Sequence, residues 1–182
     1  LGGTVTITTD GSAISATGNA VNEDGDITVA AAVTDGGAGG SLILVADNNI
    51  EISGTINITG DLTMTLPGDL TVGAAVNAGA IVMNDPAGAI TLSAQVTTTG
   101  DMQFLLGGDF SLNALNPLTS TAGRITVNST GGLMTLLSNV SAFDNLSLTS
   151  GGNFAADGTL NGASVFALAN AGNLTFNNTV TT

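Results

Sequence analysis

Short runs in which large apolar residues alternate with hydroxyl residues recur along most of the chain. Examples are Leu-Thr-Met at 62–64, Leu-Thr-Val at 70–72 and Phe-Ser-Leu at 110–112. A period of two places the large residues on one face of a strand and the hydroxyls on the other. A helix would require apolar residues at a period of about 3.6, and no useful length of the chain has that period. The pattern therefore predicts many short β-strands.

The runs themselves repeat with a period of about 20 residues. Their leading apolar residues form three series: Ile27, Ile50, Leu70, Ile90, Phe110, Met134, Phe154 and Leu174; Val33, Ile56, Val76, Val96, Leu118, Val140, Leu160 and Val180; and Leu42, Leu62, Ile81, Met102, Ile125, Leu146 and Phe166. The steps between successive members of each series all stay close to this period. Three series that share one period indicate a structural repeat.

Three short strands and three corners per repeat are typical of a parallel β-solenoid, in which each strand pairs with its equivalent one turn later. We predict an all-β fold, a right-handed parallel β-helix with about 20 residues and three short strands per turn, and about nine turns. An antiparallel sandwich is the alternative. It would explain the spacing of the turns, but not why residues one period apart match in kind.

Glycine, often followed by Asp, Asn or Ala, marks the corners between the runs. Because glycine adopts positive φ without strain, we expect it to supply that conformation at the corners. Two corners are longer than the rest, at 35–40 and at 115–118. Insertions in solenoids form surface loops, and these two belong to different corners.

Residues 1–24 fit the repeat less well than residues 25–182, which we interpret as one domain of regular solenoid repeats. Val5, Ile14 and Val21 lie close to one period before the first members of the three series. We predict that residues 1–24 form a looser first turn with these three residues in those registers.

The last turn is as regular as the internal turns, and neither end resembles the atypical repeat that normally caps a solenoid. We therefore expect that the segment belongs to a longer array or stacks end to end with itself.

Three repeats carry a resemblance to a known family: Gly-Asp-Leu-Thr-Val-Gly-Ala-Ala-Val-Asn at 68–77, Gly-Ala-Ile-Thr-Leu-Ser-Ala-Gln-Val-Thr at 88–97 and Gly-Asn-Leu-Thr-Phe-Asn-Asn-Thr-Val-Thr at 172–181. They resemble the repeats of filamentous haemagglutinin-like large exoproteins, the adhesins exported by two-partner secretion in bacteria. The resemblance covers about residues 25–182 and implies a right-handed β-helical stalk on or outside a bacterial cell. The secretion domain of such proteins typically has Asn-Pro-Asn motifs, whereas this chain has only Asn-Pro-Leu at 116–118. No catalytic or binding residue follows from the resemblance.

Composition removes several classes of function. The net charge is −13 and the only basic residue is Arg124, so the chain lacks the basic footprint of a nucleic-acid-binding protein and would be repelled by an anionic membrane. His, Cys, Lys, Tyr and Trp are absent, which excludes the usual general bases, Schiff-base lysines and thiol chemistry. Without cysteine, neither a disulfide framework nor a thiolate metal site is possible.

Carboxylates are the remaining candidates for chemistry, because some parallel β-helices hydrolyse or cleave polysaccharides with paired acids. Asp61 and Asp101 share one predicted corner, and Asp26, Asp69 and Asp109 share another. Each follows a glycine at a turn, where aspartate is common for structural reasons. We predict that the chain is not an enzyme, with no catalytic, cofactor-binding or metal-binding residues and no cofactor.

Side chains at the corners could also stabilise the turns or bind a metal ion. The row Asn49, Asp69, Asp109, Asn153 and Asn173 could form an amide and carboxyl ladder between turns. Stacked aspartates could also bind calcium, and Asp24 and Asp26 form a local carboxylate pair, but we favour turn formation as the reason for these residues. Glycosylation motifs of the Asn-x-Ser/Thr type occur at Asn57, Asn128, Asn139, Asn145, Asn173 and Asn177.

The leading functional hypothesis is a structural or adhesive β-helical stalk segment of a secreted or cell-surface bacterial exoprotein. The alternative is a self-assembling extracellular fibre subunit that stacks head to tail, and a carbohydrate-active β-helix enzyme is the third. Expected partners are neighbouring repeats or copies of the chain end to end, together with a surface receptor. No nucleic acid and no membrane insertion are expected.

Overall fold

A computed structural model describes residues 3–9, 25–85 and 87–182 of the chain. All of its secondary structure in these ranges is β-strand, arranged in three parallel eight-stranded sheets that coil into a β-solenoid. Each sheet contains one strand from every turn, so the described residues form eight turns where the sequence predicted about nine. The predicted fold class is confirmed, and the right-handed sense of the coil stays a prediction.

The strands are short, as the alternation predicted. Sheet A contains β1 (Thr4–Thr8), β4 (Ser41–Val45), β7 (Leu62–Thr65), β10 (Ile81–Asp85), β13 (Met102–Leu106), β16 (Ile125–Ser129), β19 (Asn145–Ser150) and β22 (Ser164–Ala169). Sheet B contains β2 (Ile27–Val29), β5 (Ile50–Ile52), β8 (Leu70–Val72), β11 (Ile90–Leu92), β14 (Phe110–Leu112), β17 (Met134–Leu136), β20 (Phe154–Ala156) and β23 (Leu174–Phe176). Sheet C contains β3 (Val33–Thr34), β6 (Ile56–Asn57), β9 (Val76–Ala78), β12 (Val96–Thr98), β15 (Leu118–Ser120), β18 (Val140–Ala142), β21 (Leu160–Asn161) and β24 (Val180–Thr181).

Equivalent residues of successive turns stand directly beside one another. Ile90 pairs with Leu70 on one side and with Phe110 on the other, and Val96 pairs in the same way with Val76 and Leu118. The members of the first two predicted series therefore stack in register along the axis, which confirms the parallel repeat.

The core lies inside the coil and is built by the inward residue of each alternating pair. Phe104, Phe110 and Phe154 are the largest of its fully buried side chains. Phe104 and Phe110 meet edge to face, with ring centroids 5.6 Å apart and planes at 60°. Phe110 and Phe154 belong to the first predicted series, and both are buried and stacked with Met134 between them.

Two predicted registers are wrong. Val5 pairs with Leu42 of sheet A rather than with Ile27, because the chain between β1 and β2 is longer than the equivalent corner of later turns. Phe166 pairs with Ser147 and is 55% exposed, whereas Val165 takes the inward place beside Leu146. Ile14 and Val21 lie outside the described residues.

A short corner explains the displaced register of Phe166. The inward Val165 lies five positions after Leu160, whereas Leu146 lies six positions after Val140 in the preceding turn. A shift of one residue in a strand exchanges its two faces. As a result β22 directs Val165, Ala167 and Ala169 towards the core and its larger residues outward.

Glycine at the corner before sheet B has a different role from the one predicted. Among the described residues of this corner, only Gly25 has positive φ, at 79°. The six later turns place glycine one above another at Gly68, Gly88, Gly108, Gly132, Gly152 and Gly172. A Cβ at Gly88 would lie 1.8 Å from the carbonyl oxygen of Gly68, and one at Gly132 would lie 2.1 Å from that of Gly108. Close approach of the preceding turn, and not backbone dihedral, therefore requires glycine at 88 and 132 in this column.

Candidate functional site

Side-chain oxygens at the corner before sheet B connect each turn to the next, as the predicted ladder requires. Asp26 Oδ1 accepts from the backbone N–H of Asn49 (3.0 Å), and Asn49 Oδ1 accepts from that of Asp69 (2.7 Å). Asp69 Oδ1 accepts from the Ala89 N–H at 2.8 Å, and the same contact joins Asp109 to Leu133 at 2.8 Å. These carboxylates and amides serve the turn-to-turn junction.

The ladder resumes where an amide returns to the row. Asn153 Oδ1 accepts from the backbone N–H of Asn173 at 2.8 Å, so these two adjacent members of the predicted row are linked through a side chain. Ala89 and Leu133 have no side-chain acceptor and interrupt the row. Each such hydrogen bond contributes on the order of 1 kcal/mol. Because of the interruptions, the corner contains several separate hydrogen-bonded links and no continuous ladder.

Of the candidate carboxylates Asp61 and Asp101, Asp101 is paired with Arg124. Asp61 and Asp101 occupy the corner before sheet A two turns apart, with Ala80 between them. Asp101 accepts from the backbone N–H of Arg124 (3.0 Å) and from its Nε (3.1 Å). Since both side chains of this ion pair are more than half exposed, it adds little stability. Asp101 thus holds the chain's only basic side chain against the corner.

An open groove of about 320 Å³ collects acidic and polar side chains at the N-terminal part of sheet B. Its lining residues are Asp26, Ile27, Thr28, Asn49, Ile50, Glu51, Asp69 and Thr71. Within the described ranges, no three His, Cys, Asp or Glu side chains are grouped so that they could hold a metal ion. Asp24 of the predicted carboxylate pair lies outside those ranges.

A neutral polar stripe runs along the outer face of sheet C. Its residues, one per turn, are Thr34, Asn57, Asn77, Thr97, Thr119, Ser141, Asn161 and Thr181. Asn161 Nδ2 donates to Ser141 Oγ of the preceding turn at 3.2 Å. Beside the stripe, Phe143 is 69% exposed and lines an open groove of about 500 Å³ with hydroxyl and amide residues.

Asp35 ties the inserted 35–40 loop to the next turn, a role that the sequence reasoning did not predict. Its Oδ1 accepts from the Gly37 N–H (2.9 Å), and its Oδ2 accepts from the N–H groups of Gly40 (3.1 Å) and Thr59 (2.8 Å) and from the Thr59 hydroxyl. Hydrogen bonds from the Thr59 hydroxyl and N–H and from the loop glycines hold the pKa of Asp35 well below its ordinary value, because they favour the ionised form. The sequence did contain one sign that Asp35 is buried: it lies two residues after Val33, at a position that the alternation directs inward.

Replacing Asp35 with asparagine should lower the thermal midpoint at pH 7 by several degrees, because an amide nitrogen would face backbone donors. A group with a lowered folded pKa stabilises the protein above its unfolded pKa of about 4, and this stabilisation is lost as the pH falls through the range down to the folded pKa. The difference between the parent and Asp35→Asn should therefore shrink below about pH 4. Thermal unfolding by circular dichroism at pH 7 and pH 3 measures both effects. Asp144→Asn, at an exposed corner aspartate, is the control, and an equal midpoint for the two variants at pH 7 would contradict this role of Asp35.

Asp85 is the other inward acid, and the sequence reasoning also missed it. It is fully buried at the end of β10, and its Oδ1 accepts from the N–H groups of Gly88 (2.6 Å) and Ala87 (3.3 Å). Burial raises the pKa of this carboxyl, and the neighbouring Asp69 charge adds to the rise against the effect of the two hydrogen bonds. Its position two residues after Met83 again marked it as inward-facing.

The comparisons with known proteins add no relative. No family model, curated protein or solved structure matches the chain. Across the part of the chain that the structure covers, no helix has the length and apolar character needed to span a membrane. Glycosylation at the Asn-x-Ser/Thr motifs and the absence of catalysis stay predictions.

Proposed function

We propose that the chain is a rod-like structural segment of a secreted or cell-surface exoprotein, where it serves as a stalk that holds other parts of that protein apart. The observation that supports this most directly is the continuity of the three ladders, each of eight strands in one parallel register. Seven spacings of about 4.8 Å give a rod roughly 34 Å long. The chemistry of the site agrees, since the corner carboxylates and amides bind backbone groups of the next turn.

The stalk role and its location rest on the resemblance of the repeats to filamentous haemagglutinin-like exoproteins. An antibody against this chain should label intact cells of the source organism or detect the protein in the culture medium. Labelling that requires permeabilised cells would contradict the extracellular part of the proposal. The expected surface receptor would contact the outer faces of this rod.

Self-assembly into fibres is the second candidate. Its support is the parallel pairing of equivalent strands in all three sheets, because another copy that presented the same strands could extend the ladders in the same way. Such head-to-tail contacts do not close and would give filaments.

Electron microscopy of the 182-residue chain at several concentrations separates the two roles. We expect single short rods, with a length that does not depend on concentration, if the chain is a stalk segment. Long unbranched filaments would instead support the fibre subunit, and compact globular particles would contradict both. Sedimentation velocity of the same samples provides the mass of each species.

A further inference from the structure

The Asp85 carboxyl occupies a position that hydroxyl groups fill in later turns. The inward residues at the end of the sheet A strands, taken turn by turn, are Ala46, Leu66, Asp85, Leu106, Ser129, Ser150 and Ala169. Asp85, Ser129 and Ser150 are the polar members of this row, and each is fully buried.

The serine at this position joins two turns by acting as acceptor and donor at once. Ser129 Oγ accepts from the N–H of Gly132 in its own turn (3.1 Å) and donates to the carbonyl of Gly108 in the preceding turn (2.6 Å). Ser150 Oγ lies 3.0 Å from the carbonyl oxygen of Gly132 in the preceding turn and 3.0 Å from that of Asn153 in its own turn, so its one hydroxyl hydrogen can be donated to either. The corner that leads into sheet A repeats this arrangement, where Ser120 Oγ accepts from the Gly123 N–H (2.9 Å) and donates to the Gly100 carbonyl (2.7 Å).

Asp85 reproduces the acceptor half of this arrangement. Its Oδ1 accepts from Gly88 N–H, as Ser129 accepts from Gly132. Its Oδ2 is buried and has no hydrogen-bond partner in the structure. A Cβ at Gly88 would lie 2.8 Å from this Oδ2 and 1.8 Å from the carbonyl oxygen of Gly68, so both oxygens flank the same side of Gly88. Gly68 lies one turn before Gly88, as Gly108 lies one turn before Gly132.

An ionised carboxylate cannot complete the arrangement, because it can only accept hydrogen bonds. Its row neighbours on either side are Leu66 and Leu106. The titratable group that acts on it is Asp69, which is also an acid, and the chain's basic side chain is engaged by Asp101. A buried charge without a cation is costly, and such a group takes up a proton instead.

We propose that Asp85 is protonated in the folded protein and that its Oδ2 hydroxyl donates to the carbonyl oxygen of Gly68, so that one proton completes this junction between turns. The raised pKa of Asp85 agrees with the geometry. An unfolded aspartate titrates near pH 4. Above that pH the folded state holds more protons than the unfolded state, so stability falls as the pH rises until the folded pKa is passed, and is constant beyond it. The junction is therefore weaker above the folded pKa of Asp85 than it is near pH 4.

The direct test is a carboxyl ¹³C NMR titration of Asp85 in the 182-residue protein. We expect its signal to remain that of the protonated acid well above pH 4, the value near which an unfolded aspartate titrates. The signal of Asp61, at an exposed corner, is the internal reference. An Asp85 signal that titrates together with that of Asp61 would overturn the proposal, whatever the variants do.

The second test compares stability against pH in the parent, Asp85→Asn and Asp85→Ser. Asparagine keeps the acceptor and places a permanent donor where the proton would be, and serine restores the residue type found at 129 and 150. Each unit by which the folded pKa exceeds the unfolded one changes the folding equilibrium about tenfold. We expect the parent to lose more in this equilibrium than Asp85→Asn between pH 4 and pH 8, by about tenfold for each such unit.

Asp61→Asn removes the same charge at an exposed corner and should keep the pH dependence of the parent. Parallel profiles for the parent and both Asp85 variants would show that Asp85 is ionised throughout, which contradicts the proposal. If one variant fails to fold, the other and the titration of the parent still decide.

Discussion

Replacement of Gly88 with alanine should destabilise the protein by about 3 kcal/mol or more, because the new methyl group overlaps the neighbouring turn. Its Cβ would fall 1.8 Å from the carbonyl oxygen of Gly68, 2.3 Å from the carbonyl carbon and 2.8 Å from Asp85 Oδ2. The first two are backbone atoms in the middle of the solenoid, and they cannot move away without separating adjacent turns. Urea denaturation followed by circular dichroism measures the loss as a lower midpoint.

Gly73→Ala is the matched control for this experiment. The nearest atom to a Cβ at Gly73 is the carbonyl oxygen of Ile52 at 3.6 Å, which is an ordinary contact, and Gly73 has no positive φ. Alanine there should leave stability within about 0.5 kcal/mol of the parent or raise it slightly. Equal midpoints for the two variants would show that the glycine column does not depend on close approach.

Truncation of Phe110 to alanine should cost about 3–5 kcal/mol, the usual range for a buried phenylalanine. Its side chain has no exposed surface, and it stacks between Ile90 and Met134 in the middle of sheet B. The edge contact with Phe104 adds about 0.5–1.5 kcal/mol beyond buried area. Because each turn contacts only its neighbours, a cavity here weakens the interfaces on both sides of one turn.

Phe143→Ala provides the comparison at a surface phenylalanine. Phe143 is 69% exposed, so its removal should change stability by no more than about 0.5 kcal/mol. Guanidinium denaturation of both variants, monitored by loss of β-structure, measures the contrast. A similar loss for the two phenylalanines would place Phe110 outside the core.

The sequence predicted the ladder at the corner before sheet B better than it predicted the inward acids. Asn153 and Asn173 lie one period apart and are joined by the expected hydrogen bond, since a corner position is exposed and its partner is known once the period is known. Asp35 and Asp85 went unrecognised because aspartate near glycine is common in turns. Their burial depends on which backbone groups the adjacent turn brings to them.

The sequence by itself determined the class of fold, the period of the coil and most of the core. Period-two alternation decides the face of each residue, and the recurrence of the runs from turn to turn decides which strands become neighbours. Both signals are summed over many turns, so an irregular turn does not hide them.

Only the tertiary structure decided the features that depend on one corner or one contact. The corner before β22 is one residue shorter than the corner before β19. This difference places Val165 inside and Phe166 outside, because a shift of one residue exchanges the faces of a strand. The glycine column likewise follows from distances between turns, whereas the sequence suggested a role in backbone dihedrals. Periodicity specifies the average turn, and packing against the turns before and after settles each departure from it.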